Sequence, residues 1–212
     1  MRGNAGIYLL LSLAMLAGCS HTVLVSVPPR VDVKSYGTLG IVDFGSNSGP
    51  EVAARAMRQL EEEVQAAQPG TRFIELGDRQ ALLAAVGSDR LDIASLKKIG
   101  AKYGVGALFV GELAYSQPTM DVQVTDVAKL QGGVRSEMRG DISGRLLETA
   151  TGASVWTSSA WARRQLGSLS VSAAYGVTGG VGDANPREAM LPALVYQLTR
   201  DFRPTSERRP AP

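Results

Sequence analysis

The chain has 212 residues, a formal net charge of +2, one cysteine and one histidine. The histidine, His21, lies two residues after Cys19, so the rest of the chain contains no Ser-His-Asp triad, Cys-His pair or multi-histidine metal site. Positive and negative residues are mixed along the chain, which predicts no nucleic-acid partner. We expect no catalytic residue, cofactor or metal.

The N-terminus has the order of a bacterial lipoprotein signal. Arg2 precedes an apolar segment at residues 7–16 that is too short to cross a bilayer, and Leu16-Ala17-Gly18-Cys19 follows. This predicts a signal peptide at residues 1–18 and lipidation of Cys19. Several acyl chains, at about 0.8 kcal/mol per buried methylene, would hold the protein at a membrane. The alternatives are an ordinary secretory signal with an incidental cysteine, or an uncleaved anchor.

The segments that flank the expected domain are predicted to be irregular. Residues 19–35 form an extended tether, because Pro28-Pro29 bars a helix. Ser20 is not acidic, as in lipoproteins exported to the outer membrane of Gram-negative bacteria. We expect one domain at residues 36–203, followed by a disordered tail at residues 204–212.

The first half of the domain alternates short strands with helices. Strands are predicted at residues 39–44, 72–76 and 107–111, and the last is central because it is apolar on both faces. A helix that begins at Pro50 turns one apolar face inward. The residues of that face are Ala53, Ala56, Met57, Leu60, Val64 and Ala67.

Two further helices have recognisable ends. Asp78 caps the first, which ends at Gly87, and Asp92 caps the second, which ends at Gly104. Leu91 and Leu96 have the spacing of a hydrophobic staple. The buried stripe of the second helix is predicted to be Ile93, Leu96, Ile99 and Tyr103.

The second half begins with antiparallel strands. They are predicted at residues 121–126, 134–146 and 154–163, with a turn at Gly132-Gly133, and Trp156 and Trp161 point to opposite faces of the last. One face of the middle strand is charged and is either a solvated structural face or a binding surface. Its charged residues are Arg135, Glu137, Arg139, Asp141 and Arg145.

The segment at residues 166–183 has two interpretations. Alternating apolar residues and serines, followed by a glycine-rich run, are typical of a flexible surface hairpin. The same pattern fits an amphipathic segment that enters a membrane or an oligomer interface. Because transmembrane strands need about 9 to 11 residues each, there is room for one hairpin at most, and we favour the surface loop.

A final helix completes the fold. Asn185 is predicted to begin it in a variant of the capping box, and Pro192 either kinks the helix or marks its true start. Its apolar face comprises Leu191, Leu194, Val195, Leu198 and Phe202. The whole chain therefore predicts an α/β fold, a three-layer-like sandwich with a mixed sheet in the order β-α-β-α-α-β-β-β-β-α.

Four short motifs carry a resemblance to a known family. They are Ile41-Val42-Asp43-Phe44, Glu75-Leu76-Gly77-Asp78-Arg79, the run from Ala107 to Leu113, and the run from Leu146 to Gly152 with Val155-Trp156 after it. With these motifs the chain resembles the CsgG and LpoB group of outer-membrane lipoproteins, which serve curli secretion and penicillin-binding-protein activation. The resemblance implies a fold like the amino-terminal domain of TolB and the anticodon-binding domains.

The resemblance also implies a function. It predicts a lipid-anchored domain on the periplasmic face of the outer membrane that binds cell-envelope proteins and in some members forms a homo-oligomeric ring. Secretion channels of the group insert two long amphipathic hairpins per subunit, whereas this sequence offers at most one. We therefore expect a non-enzymatic accessory or regulator of envelope assembly, secretion or peptidoglycan synthesis. The alternative is a ring-forming subunit of a secretion channel or collar.

An enzyme is the less favoured hypothesis. Paired carboxylates for glycoside hydrolysis could come from five residues, although the charged strand explains two of them as a solvated face. The five are Glu112, Asp121, Asp126, Glu137 and Asp141. The glycine-rich residues 176–182 lack the Lys-Ser/Thr and the strand-to-helix setting of a phosphate loop.

Overall fold

The structure is a computed structural model that describes residues 22–126, 131–172, 176–181 and 185–210. The chain divides into two compact units. Residues 29–203 form the larger unit, and the described residues before and after them form the smaller one. Residues 29–35 are therefore not part of an extended tether, as the sequence predicts, because Val33 is fully buried in the core of the larger unit.

The smaller unit is a two-stranded antiparallel sheet. Strand β1 (Thr22–Val27) pairs with strand β10 (Thr205–Pro210), from Thr22 opposite Pro210 to Val27 opposite Thr205. Residues 205–210 are therefore not the disordered tail that the sequence predicts. The alternating valines of β1 need a partner strand for their backbone groups, and that partner lies at the other end of the chain, beyond the reach of local sequence patterns.

The larger unit contains one eight-stranded mixed sheet in the order β4-β2-β5-β7-β8-β9, with β3 paired to β5 and β6 paired to β7. Three strand pairs are parallel: β2 with β4, β2 with β5, and β3 with β5. All other pairs of this sheet are antiparallel. The strands are β2 (Thr38–Ile41), β3 (Gly45–Ser46), β4 (Arg72–Glu75), β5 (Ala107–Tyr115), β6 (Thr119–Asp126), β7 (Gln131–Glu148), β8 (Ser154–Ser172) and β9 (Gly176–Val181).

Helices cover both faces of the parallel half of the sheet. The helices are α1 (Pro50–Ala67), α2 (Arg79–Ala85), α3 (Ile93–Tyr103) and α4 (Pro186–Leu198), with 3-10 helices at Val33–Tyr36 and Thr199–Phe202. Helices α1 and α4 pack on one face around Phe109 and Phe202, and α2 and α3 pack on the other around Leu108. The predicted three-layer α/β sandwich is confirmed.

The predicted helix caps of the central region are also confirmed. Asp78 accepts hydrogen bonds from the backbone N–H groups of Gln80 and Ala81, both at 2.9 Å, and Asp92 forms a capping box with Ser95. Helix α3 ends at Gly104, whose φ of +69° suits glycine. Leu96 and Ile99 are buried as expected.

Ile93 was expected in the same buried stripe, and that prediction is wrong: the residue is 56% exposed. It occupies the first position of α3, where it borders Gly152 in the turn between β7 and β8 rather than the sheet. The apolar stripe of α3 therefore begins one turn later, at Leu96.

One other local prediction is wrong. Gly132 and Gly133 make no turn, because both lie within β7, paired to β6 on one side and β8 on the other. The predicted start of α4 is confirmed, with Asn185 at the N-cap and Pro186 as the first helical residue, although the Asn185 side chain makes no capping hydrogen bond. Pro192 is not the start of that helix but an exposed residue inside it. Because proline has no N–H, one hydrogen bond of the helix is missing at this position.

Strands β7 and β8 are long and continue past the helical layers. Their register changes between Ser136 and Glu137, where β8 carries one extra residue. Beyond this point β6, β7, β8 and β9 form four antiparallel strands, which we call the distal sheet (residues 119–126, 131–137, 165–172 and 176–181). The sequence predicts at most one hairpin, at residues 166–183, whereas the distal sheet has two side by side, β6–β7 and β8–β9.

A candidate binding surface

The charged face predicted for the middle strand is an open sheet surface. We call it the outer face: the odd-numbered residues of β7 from Arg135 to Arg145, and those of β8 from Thr157 to Arg163. Trp161 lies at its centre and is 53% exposed, whereas Trp156 on the opposite face is 5% exposed. The opposite orientation of the two tryptophans is confirmed.

Two guanidinium groups lie beside the Trp161 ring. The Cζ atom of Arg139 is 5.1 Å from the ring centroid, and that of Arg163 is 5.5 Å away, both within cation–π range. Arg139 and Arg163 are also direct cross-strand partners, so two like charges face each other across β7 and β8. Such pairs are unfavourable unless an anion lies between or beside them.

Asp141 compensates one of these charges. The Nε atom of Arg139 donates to its carboxylate oxygens at 2.8 and 3.0 Å. These hydrogen bonds raise the pKa of Arg139, so its guanidinium remains charged throughout the accessible pH range. Asp141 lies directly opposite Trp161 in the register, and it therefore fixes Arg139 close to the indole.

Arg163 and Arg145 differ from Arg139 in having no carboxylate partner within the described part of the chain. Both are exposed on the outer face. Arg145 also borders a cleft of about 470 Å³ between the first turns of α2 and α3 and strands β5 and β7. The outer face thus carries positive charge that no ion pair among the described residues neutralises.

An ion pair forms one side of this cleft. The Nη2 atom of Arg79 lies 2.8 Å from Glu112 Oε1 and donates to the Gly111 carbonyl at 3.4 Å. The Nε atom of Arg79 is buried and lacks a hydrogen-bond partner among the described residues. Leu91, Ile93 and Leu147 supply apolar lining, so the cleft combines polar and apolar surface.

The carboxylates considered for catalysis are distributed along the polar side of the sheet. Glu112 pairs with Arg79 and Asp141 with Arg139, while Asp121 accepts a hydrogen bond from Gln123 and lies opposite Arg135. Glu137 lies opposite Thr119. The side chain of Asp126 is outside the described residues. The ion pairs explain Glu112 and Asp141 as structural partners of arginines.

The distal sheet has a second exposed surface of opposite character. Val122, Val134 and Leu169 lie in one row across β6, β7 and β8, on the face that continues from the helix-covered core. Met120 and Val124 flank Val122 on the same face. Met120, Val122 and Val124 are 65 to 77% exposed, and Leu169 is 46% exposed. Sequence analysis missed this apolar face because it treated Gly132-Gly133 as a turn.

The predicted lipidation site lies outside what the structure describes. Cys19 lies before the first described residue. Within residues 22–126, 131–172, 176–181 and 185–210, no three His, Cys, Asp or Glu side chains are grouped to hold a metal ion. No helix in those ranges is long and apolar enough to cross a membrane.

Comparisons with known proteins give similarity in fold. No protein-family model and no curated protein sequence matches the chain. A PelC dodecamer from Paraburkholderia phytofirmans is 12% identical over 86% of this chain and 96% of that chain, with a TM-score of 0.41. The LpoB C-terminal domain from Salmonella enterica is 12% identical over 73% and 93%, with a TM-score of 0.34.

A minor lipoprotein from Acinetobacter baumannii is similar to the same degree. It is 13% identical over 79% of this chain and 90% of that chain, with a TM-score of 0.33. The similar structures therefore include LpoB and bacterial lipoproteins, and the similarity concerns the α/β fold alone.

Proposed function

We propose that the protein is a lipid-anchored, non-enzymatic lipoprotein of the outer membrane. It faces the periplasm and binds proteins of an envelope assembly, secretion or peptidoglycan-synthesis machine. In this proposal residues 1–18 are removed, Cys19 carries the lipid, and the residues between Cys19 and Pro29 connect it to the larger unit, which begins at Pro29. The observation that carries the binding function is the outer face, an open sheet surface with a half-exposed tryptophan beside two arginines.

The composition of that face supports protein binding. Tryptophan and arginine are enriched among the residues that dominate binding energy at protein interfaces. Here both types lie together at the middle of the face, and Ser143, Thr157 and Ser159 surround them with small polar side chains. A large aromatic group with a small polar rim is the usual arrangement of a binding surface.

The lipid anchor is tested by metabolic labelling. Cells that express the full chain are grown with an alkyne-labelled palmitate and then separated into inner and outer membranes. We expect label on the protein and its recovery in the outer-membrane fraction, and we expect Cys19→Ser to abolish both. Unchanged labelling of Cys19→Ser would contradict lipidation at this residue.

The binding function is tested by photo-crosslinking in cells. A photoreactive phenylalanine replaces Thr157 on the outer face or, as a control, Arg58, which is exposed on α1. We expect Thr157, and not Arg58, to crosslink to an envelope protein that can be identified by mass spectrometry and that also binds the purified full chain. Crosslinks from both positions, or from neither, would contradict the proposed surface.

A ring-forming subunit of a secretion channel or collar is the second candidate. The observation that favours it is the distal sheet, where two adjacent hairpins expose Met120, Val122 and Val124 on one uncharged face. Apolar patches of this kind are typical of surfaces that become buried in an assembly or a membrane. Within the part of the chain that the structure describes, β6 and β9 each pair on one side only, so their other edges offer backbone groups to further strands.

This candidate is tested by the mass of the lipidated protein in mild detergent, measured by light scattering after size exclusion. A ring predicts a discrete particle of many subunits, and Val122→Glu should dissociate it. Gln123→Glu on the opposite face is the matched control and should leave the mass unchanged. A monomer or dimer would remove the second candidate and leave the tethered binding module.

A further inference from the structure

The charges of the outer face follow a regular spacing. Along β7, Arg135, Glu137, Arg139 and Asp141 alternate in sign at every second residue, which corresponds to about 6.6 Å per step in an extended strand. A uniformly anionic polymer would meet Glu137 and Asp141 along this row and be repelled. An extended polypeptide, whose side chains repeat at the same spacing, can place carboxylates on the arginines alone.

The centre of the face has an excess of positive charge. Arg139 and Arg163 oppose each other across the two strands, and Asp141 forms hydrogen bonds with Arg139 alone. A second carboxylate placed between the two guanidinium groups would relieve their repulsion and could be held by both. Because Asp141 already fixes Arg139, little side-chain entropy is lost when that carboxylate binds.

Trp161 adds an apolar contact beside the charges. Just over half of its surface is exposed, and the two arginines flank its ring at 5.1 and 5.5 Å. A partner side chain that packs on the indole would exclude water from the adjacent ion pairs and strengthen them. The combination fits a segment in which an apolar residue lies next to an acidic one.

We propose that the outer face binds an extended acidic segment of a partner protein. One carboxylate of that segment bridges Arg139 and Arg163, and a neighbouring apolar side chain packs on Trp161. The proposal rests on the protein-binding function proposed above and names the chemistry of the partner.

The test uses the full chain in mild detergent and a dye-labelled 12-residue peptide of Thr in which Glu recurs at every fourth residue and one Leu lies two residues after the central Glu, so that the carboxylates share one face at the spacing of the arginines. Fluorescence anisotropy measures its affinity. We expect saturable binding that weakens with added salt and is lost when every Glu is replaced by Gln. Arg163→Gln and Trp161→Ala should each weaken binding at least tenfold, whereas Arg55→Gln on α1 should change it less than twofold.

Several outcomes would overturn the proposal. These are no saturable binding, equal affinity for the Gln peptide, or equal losses from Arg163→Gln and Arg55→Gln. Tighter binding of polygalacturonate than of the acidic peptide would assign the face to an anionic glycan instead. Thermal unfolding of each variant separates loss of binding from loss of fold. If Thr157 still crosslinks to an envelope protein while the peptide does not bind, the proposed function stands and this inference fails.

Discussion

The side-chain oxygen of Gln68 accepts a hydrogen bond from the backbone N–H of Val33 at 3.0 Å. The amide nitrogen of the same side chain donates to the carbonyl oxygens of Val31 at 2.6 Å and Phe202 at 3.1 Å. Gln68 is 4% exposed and Val33 is fully buried. One buried amide at the end of α1 therefore joins the segment before the first central strand to the 3-10 helix that follows α4.

This relationship predicts that Gln68→Leu destabilises the protein. The substitution keeps the volume but leaves the N–H of Val33 and two carbonyl groups buried without partners, which costs about 2–4 kcal/mol in the free energy of unfolding. Urea unfolding followed by circular dichroism measures the change. Gln65→Leu, an exposed glutamine one turn earlier, is the control; it removes a single hydrogen bond of 3.3 Å to the Thr71 carbonyl and should cost about 1 kcal/mol or less. Equal effects of the two variants would contradict the role of Gln68.

The elements that the sequence predicts well depend on contacts close in the chain. Asp78 and Asp92 each cap a helix through backbone groups two or three residues away. The run at residues 107–111 is apolar on both faces, and such a strand is buried on both sides only in the middle of a sheet. In these cases the signal and the structure that it specifies lie within a few residues, so a local pattern is sufficient.

The elements that the sequence did not predict depend on strand pairing between distant residues. Strand β1 pairs with β10 across most of the chain, and Gly133 lies between Gln123 and Ser170 rather than in a turn. The pairing of Arg139 with Arg163 depends on the register of β7 and β8, because a shift of one residue would move the side chains of one strand to the opposite face of the sheet. Residue types marked the outer face as charged, but only the register brings the two guanidinium groups to Trp161.

Glu61 on α1 predicts a dependence of stability on pH. Its Oε1 atom is buried without a hydrogen-bond partner among the described residues. Burial raises the pKa of Glu61 to about 7, and the nearby carboxylate of Glu75 adds to the increase. Because the folded state retains this proton over a pH range in which the unfolded chain has lost it, stability should fall as pH rises from about 4.5 to about 7.

Glu61→Gln should remove this contribution. The variant should be more stable than the parent at pH 8, by about 1 kcal/mol once solvent screening of a half-buried carboxylate is taken into account, and similar to it at pH 4.5. Urea unfolding at both pH values measures the difference. Glu62→Gln removes the adjacent, exposed carboxylate, which contributes least to the raised pKa of Glu61, and should reduce the pH dependence only slightly. If the difference in stability between the parent protein and Glu61→Gln were the same at both pH values, the raised pKa of Glu61 would be contradicted.

Asp78→Ala should weaken the start of α2. The carboxylate accepts hydrogen bonds from two N–H groups of the first turn, at 2.9 Å each, and alanine leaves both without a partner. Loss of such a cap costs about 1 kcal/mol. Asp78→Ser keeps an oxygen acceptor and is the matched variant, with most of the stability retained. If alanine and serine gave the same midpoint of urea unfolding, the hydrogen bonds would not be the cause.

Gly106→Ala, which adds a single methyl group, should cause a large loss of folding stability. A Cβ atom at this position would lie 2.0 Å from the carbonyl oxygen of Tyr36, a backbone atom that no side-chain rotation can move away. The backbone of Gly106 is itself fixed, since its N–H donates to Thr38 at 2.8 Å and its carbonyl accepts from the Thr149 N–H at 3.0 Å. Gly106→Ala should therefore force the entry of β5 away from the 3-10 helix at Val33–Tyr36.

We expect Gly106→Ala to reduce the free energy of unfolding by about 3 kcal/mol or more. Gly180→Ala in β9 is the matched control, because a Cβ atom there would have no neighbour within 4 Å. Alanine is preferred to glycine in a strand for reasons of backbone entropy, so the control should leave stability unchanged or slightly higher. Thermal and urea unfolding of both variants provide the measurement. A loss below about 1 kcal/mol for Gly106→Ala would mean that Tyr36 and β5 can separate at little cost, and that the close backbone approach does not fix how the chain enters the central sheet.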